Sequence, residues 1–217
     1  MKIKRIIFVL LTALLLFIVL TTLVVTENAP VQAFNDTLYA PIATRITPVL
    51  TTISTVIGSL THWYTYSPII LLFLLLPRTR MKIGLPIAIT LGISALMGPI
   101  MLKNVFAIER PSVNQLIEPG GFGYPSGHSM NAVVFFGMCT LMVLRYARKR
   151  WLKIGFTVFA VLAILSVGLS RVYLGVHTVT DVIGGYLAGI VVLCAAVLIE
   201  NRLKSRKSEV TSDEKSA

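Results

Sequence analysis

The sequence predicts an all-α protein whose helices cross a membrane six times, and three observations carry that expectation. Of 217 residues, 55% are hydrophobic and only 13% are Asp, Glu, Lys or Arg, where an ordinary soluble domain is about a quarter charged. The apolar residues fall into long runs almost free of charge, near the roughly 20 helical residues that cross a hydrocarbon layer of about 30 Å. The basic residues gather at alternate ends of those runs, which is a topology signal. The net charge of +11 comes with no basic helix, finger pattern or aromatic-basic interleaving, so nucleic acid is not an expected partner.

Taken in order, the first span runs from Ile6 to Val25. It follows Lys2, Lys4 and Arg5 and precedes the small residues Ala29 and Ala33, as a secretory signal would. Its 20-residue apolar core exceeds the roughly 7 to 15 of a signal core, so it is read as a retained helix. The second span, roughly Trp63 to Leu76, is short and contains Pro68. It is expected to draw on the stretch before it, where Val49, Ile53, Ile57 and Leu60 recur at helical spacing with Thr and Ser between them. Val49 to Leu60 is helix that either lies along the outer interface or begins the second span. Ile83 to Leu102, Ser129 to Leu144, Leu152 to Leu169 and Thr178 to Ile199 complete the set. Residues 1–200 thus form one membrane domain, and the polar, mixed-charge residues 201–217 are expected to be a disordered tail.

Sixteen of the 20 basic residues lie at one set of ends: Lys2, Lys4 and Arg5; Arg78, Arg80 and Lys82; Arg145, Arg148, Lys149, Arg150 and Lys153; Arg202, Lys204, Arg206, Lys207 and Lys215. These ends, including both termini, are expected to face the cytoplasm, with anionic lipid headgroups as their partner. Trp63, Tyr64, Tyr66, Tyr146 and Trp151 fit interfacial anchoring. Cys139 and Cys194 sit among aliphatic neighbours and read as buried thiols.

Three polar clusters interrupt the membrane logic, and all three fall on the other, extracytoplasmic face. Lys103 closes the third span, with Arg110 and Pro111 beyond it. Pro125, Ser126, Gly127 and His128 stand where a loop containing Gly120, Gly121 and Gly123 gives way to the fourth helix. Ser170, Arg171, His177 and Asp181 run from the end of the fifth span into the sixth. Three cations at the hydrocarbon boundary are costly unless paired, and Asp181 is the one acid among the motif positions, so an anion must complete the site. Arginine forks and a mobile lysine match phosphate oxygens, and the orphan N–H groups at a helix start favour the same ligand. Asp181, four residues after His177, can hold one ring nitrogen and leave the other free to attack, while His128 can protonate a leaving oxygen. No carboxylate or cysteine cluster suited to Mg²⁺ or Zn²⁺ is evident, and the cations can supply that charge. His62 reads as an interfacial residue, and Glu109 and Glu118 as solvated loop charges or partners of Arg110.

These residues spell K-x6-R-P from Lys103 to Pro111, P-S-G-H from Pro125 to His128, and S-R-x5-H-x3-D from Ser170 to Asp181. The pattern resembles the three-part signature of the type 2 phosphatidic acid phosphatase superfamily, and the length and span number resemble its small bacterial membrane-integral members. The resemblance implies His177 as nucleophile, Asp181 as its orienter and His128 as general acid and then base. It places Lys103, Arg110, Ser126, Gly127, Ser170 and Arg171 around the phosphate, and implies hydrolysis without metal or cofactor.

The implied substrates are lipid phosphates or diphosphates: phosphatidylglycerophosphate first, undecaprenyl pyrophosphate as the alternative. The implied location is a bacterial cytoplasmic membrane, with bilayer lipids and no obligate protein as neighbours. A lipid-binding or transport protein is the competing class. It would need polar gating residues within the spans, and the third to fifth carry no charge between their ends.

Overall fold

The computed structural model describes residues 3–77, 80–112 and 114–216. Lys2, Arg78 and Val113 lie outside them, as do the side chains of Trp63, Arg80, Lys82, Lys207 and Lys215. The described residues form helices and no strand: α1 (Ile3–Val25), α2 (Ala29–Ala43), α3 (Pro48–Ser59), α4 (Trp63–Leu75), α5 (Leu85–Phe106), α6 (Gly127–Tyr146), α7 (Arg150–Tyr173) and α8 (Val179–Ser216). A π-helical turn, Arg80–Gly84, precedes α5, and a second, Leu96–Leu102, lies within it around Gly98 and Pro99, where proline lacks the donor that an α-helical ladder needs.

Five helices, α1, α5, α6, α7 and α8, are long and apolar enough to cross a membrane. Helix suits such sequence because it satisfies every backbone polar group within the segment. The burial pattern is that of a membrane bundle. Only 17% of the apolar window of α1, and likewise of α7, is buried, against 56% of that of α6. Phe8, Leu11 and Leu15 on α1 and Phe159, Leu162 and Leu165 on α7 are exposed, a surface too apolar for water and suited to lipid. α6 is therefore the central post, packed against α7 and α8, with α1 lying along α8. Met130, Val134, Val167 and Leu91 fill the core between them. Gly185 and Gly189 let α8 approach α6 closely: a Cβ on Gly185 would lie 2.4 Å from the Ser126 carbonyl oxygen, and one on Gly189 2.8 Å from that of Met130.

The second expected span, roughly Trp63 to Leu76, is α4, and the helix expected over Val49 to Leu60 is α3, with Leu60, Thr61 and His62 between them. α3 packs on α7, whereas α4 packs on the π turn and α5. α4 has 13 residues, a rise of about 20 Å, short of the roughly 30 Å of a hydrocarbon core. The chain nevertheless passes from one end of the bundle to the other here. His62 lies beside His128 at the start of α6, while Met81 and Leu85 share a cavity with Arg145, Tyr146 and Glu200 at its far end. The tail differs from expectation: α8 continues as helix to Ser216. Its residues after Asn201 are largely good helix formers, and Lys204 pairs with Glu200 one turn back.

Candidate active site

The alternating directions of the helices bring four ends together. α5 delivers Lys103 at its C-terminal end, α6 delivers Ser126 to His128 at its start, α7 ends with Ser170 and Arg171, and α8 begins just after His177. Each polar group thus comes from a helix terminus, where the chain leaves its apolar run. Lys103, Arg110, Gly127, His128, Arg171 and His177 line one cavity of about 510 Å³. Ser126, Ser170 and Asp181 are buried behind that lining.

His177 is held from both sides. Its Nδ1 is 3.2 Å from Asp181 Oδ2, and its Nε2 is 3.2 Å from Arg110 Nη1. A guanidinium can only donate and a carboxylate only accept, so the two contacts select the tautomer with hydrogen on Nδ1 and a lone pair on Nε2. Asp181 Oδ2 also accepts from the Thr178 N–H at 2.9 Å, which fixes the carboxylate. Burial pulls the His177 pKa down to about 4, opposed by the carboxylate of Asp181, so the ring is neutral near pH 7.

The three cations differ in what remains free. Arg110 gives Nε to Gly121 O (2.9 Å), Nη2 to Gly120 O (2.8 Å) and Nη1 to Val176 O (2.7 Å), as well as approaching His177. It clamps the glycine loop to the turn before α8 and keeps little donor capacity for a ligand. Neither Glu109 nor Glu118 pairs with it among the described residues. Lys103 Nζ donates to Phe122 O at 2.7 Å, leaving two hydrogens. Arg171 lines the cavity, is 6% exposed, and its buried Nε has no hydrogen-bond partner among the described residues, so it is the cation whose donors are least committed to the protein.

Ser126 caps α6. Its Oγ accepts from the N–H of Ser129 at 3.4 Å and from the Ser129 hydroxyl at 3.0 Å, leaving its own hydrogen to donate. Ser170 Oγ donates to Val167 O at 2.7 Å, which anchors the residue before Arg171. Among the described residues, no group of three or more His, Cys, Asp or Glu side chains is arranged to hold a metal ion.

Three features escape the sequence reading. His62 is not a peripheral interfacial residue: it lines the cavity, stacks on Tyr64 with centroids 4.2 Å apart, and lies 6.0 Å from the His128 ring. Gly58 of α3 faces Arg171, where an added Cβ would be 2.3 Å from Nη1. Asn35 of α2 bonds Thr180 twice, Nδ2 to the Thr180 hydroxyl at 3.0 Å and Oδ1 from its N–H at 3.1 Å, closing the start of α8 next to Asp181. A third histidine close before an apolar run was a usable signal for His62. The other two contacts join residues 113 and 145 positions apart, and only the fold pairs them.

The chain is similar to known proteins in sequence and in fold. Residues 86–205 match the PAP2 superfamily. Phosphatidylglycerophosphatase B of Bacillus subtilis is 32% identical over 123 residues, 56% of this chain and 60% of that protein, so the aligned chain spans less than two thirds of this relative. An undecaprenyl-diphosphatase of Sulfolobus acidocaldarius is 36% identical over 152 residues, 67% of this chain and 68% of that one. The crystal structure of a transmembrane PAP2 type phosphatidylglycerolphosphate phosphatase from Bacillus subtilis superposes with a TM-score of 0.78 at 27% identity, covering 89% of this chain and 96% of that chain.

Proposed function

The chain belongs to the PAP2 superfamily, and on that premise we propose that it is a multi-pass membrane enzyme that hydrolyses lipid phosphates through a phosphohistidine. The observation that carries this reading is the neutral His177 ring held between Asp181 and Arg110. Nε2 gives up its hydrogen bond from Arg110 Nη1 and attacks phosphorus from the cavity side. As the N–P bond forms, the bond from phosphorus to the lipid oxygen breaks, and His128 gives that oxygen its proton. His128, now neutral, takes a proton from water as the water attacks phosphorus, the N–P bond breaks, and inorganic phosphate leaves. Lys103, Arg171, the Ser126 hydroxyl and the N–H groups at the start of α6 bear the charge that grows on the phosphoryl oxygens. Asp181 keeps the ring oriented and stabilises it as it becomes cationic. Ser170 acts by anchoring Arg171.

Phosphatidylglycerophosphate is the preferred substrate in this reading, with undecaprenyl pyrophosphate as the alternative, in keeping with the names of the two relatives. In this reading the chain makes six passes, with α4 as the short second one, and has both termini in the cytoplasm and the site on the extracytoplasmic face of a bacterial cytoplasmic membrane.

The test is trapping. Purified enzyme in detergent, quenched within milliseconds of mixing with labelled phosphatidylglycerophosphate, should carry a base-stable, acid-labile phosphoryl group, and His177→Ala should carry none. Activity should survive exhaustive chelation, since the cations supply the electrostatics. A phosphoenzyme in His177→Ala, or activity lost to chelation and restored by one divalent ion, overturns the assignment.

A further inference from the structure

The 510 Å³ cavity is lined by more than the hydrolytic groups. α3 and the turn after it contribute Thr55, Ser59 and Thr61, and the loop before the glycines contributes Glu118. The three hydroxyls share one feature. Thr55 Oγ1 donates to Thr51 O at 2.9 Å, Ser59 Oγ to Val56 O at 2.7 Å, and Thr61 Oγ1 to Gly58 O at 3.4 Å. A hydroxyl has one hydrogen and two acceptor sites, so with the hydrogen given to the backbone, each presents acceptors to the cavity. An ionised glutamate also only accepts.

The cationic surface is the reverse. Lys103, Arg110 and Arg171 can only donate, and Arg171 is buried with an unpartnered Nε. The two surfaces meet at Gly58, whose missing side chain lets Arg171 Nη1 lie directly against α3. A phosphoryl group held by Arg171 therefore has the acceptor surface beside it, on ground that the attack by His177 does not use.

The wall's neutral donors, Tyr64, Tyr66 and Asn131, come from α4 and α6, so whatever lies against the α3 and Glu118 side must bring hydrogens. The second phosphate of a lipid diphosphate is an anion with acceptors of its own, and would meet lone pairs and the Glu118 carboxylate. A phosphate monoester whose alcohol carries a free hydroxyl on the neighbouring carbon brings the missing donor. We propose that Thr55, Ser59 and Glu118 form a leaving-group subsite that selects lipid phosphate monoesters with a hydroxyl beside the scissile ester over lipid diphosphates. This inference rests on the phosphatase reading and adds what the site reads next to the phosphate.

A matched pair of substrates tests it: phosphatidylglycerophosphate and the analogue in which the free headgroup hydroxyl is replaced by hydrogen. One hydrogen bond of ordinary net strength predicts a kcat/KM ratio of about tenfold in favour of the hydroxylated lipid. The Thr55→Val/Ser59→Ala enzyme should bring the ratio toward one. Glu118→Gln, an exposed change that adds an amide donor, should raise the rate on a lipid diphosphate relative to the hydroxylated monoester, and it keeps the idea testable if the α3 variant fails to fold. Equal turnover of the pair by the unmodified enzyme, a ratio unmoved in the variants, or a diphosphate preferred over the hydroxylated monoester overturns the subsite and leaves the phosphatase reading standing. Turnover of none of these lipids overturns both.

Discussion

At His177 two neighbours set the chemistry between them. Arg110 turns a donor toward Nε2, and Asp181 takes the hydrogen on Nδ1, so the ring's lone pair stands on Nε2. Burial lowers the ring's pKa to about 4, and Asp181 pulls the other way. The sign of the pH dependence follows. In the proposed mechanism it is the neutral ring that reacts, so the acid limb of kcat/KM should lie well below the ordinary histidine value of about 6.5. Asp181→Asn should move it lower still and depress the plateau, because the orienting charge that favours the imidazolium is gone. Substrate ionisation is common to both enzymes, so the displacement between the two profiles reads the histidine. A limb that moves upward in Asp181→Asn contradicts the arrangement. The same shift links to stability: between about pH 6.5 and 4 the unfolded ring binds a proton that the folded one does not, so stability falls as pH falls through that window.

At the scale of elements, the placement of Asp181 depends on more than its own helix. Asn35 of α2 occupies both the N–H and the hydroxyl of Thr180, and Thr178, whose hydroxyl accepts from the Asp181 N–H at 3.2 Å, completes the turn. Asn35→Ala frees that helix start. It should lower kcat several-fold with KM nearly unchanged, and displace the acid limb in the direction seen for Asp181→Asn, which a general loss of stability would not do. A change in melting temperature with an unaltered kcat and pH profile would make Asn35 structural only. The contrast with the motif residues explains what sequence could reveal. Lys103, Arg110, His128, Arg171, His177 and Asp181 are conspicuous because charge beside a long apolar run has a cost that only a site accounts for. Asn35, Thr55 and Ser59 lie among other polar residues on α2 and α3, where nothing distinguishes them until the fold sets them against α8 and the cavity. Likewise α1, α5, α6, α7 and α8 were legible as uninterrupted apolar runs. The helices over Val49 to Leu60 and Trp63 to Leu76 were legible as well, but the choice between one span and two separate helices was not, because two helices of 12 and 13 residues joined through Thr61 and His62 have the same periodicity as one irregular helix.

For the whole molecule, the family match covers residues 86–205, which contains all three motif clusters and excludes α1 to α4. The motif residues therefore come from the matched part, while Thr55, Ser59, His62 and Asn35 come from the part before it. The same division bears on orientation. Every helix that carries a motif residue carries it at one end of the bundle, and Arg145, Arg148, Lys149 and Arg150 lie at the other end, where Arg145 pairs with Glu200 at 2.7 Å and joins α6 to α8. α6 has 20 residues, a rise of about 30 Å, so the two ends stand at opposite faces of a hydrocarbon core. Basic ends tend to be retained in the cytoplasm, and the proposed topology accordingly has the cavity outside. Cys139 and Cys194 are free and can be replaced to give a background for labelling. In intact cells, an impermeant maleimide should then label Ser112→Cys, in the exposed loop beside the site, whereas Arg148→Cys should label only after the membrane is opened. Labelling of Arg148→Cys first would invert the molecule. The enzyme would then have to draw its lipid from the inner leaflet, and the concentration of basic residues at the far end would need a cause other than topology.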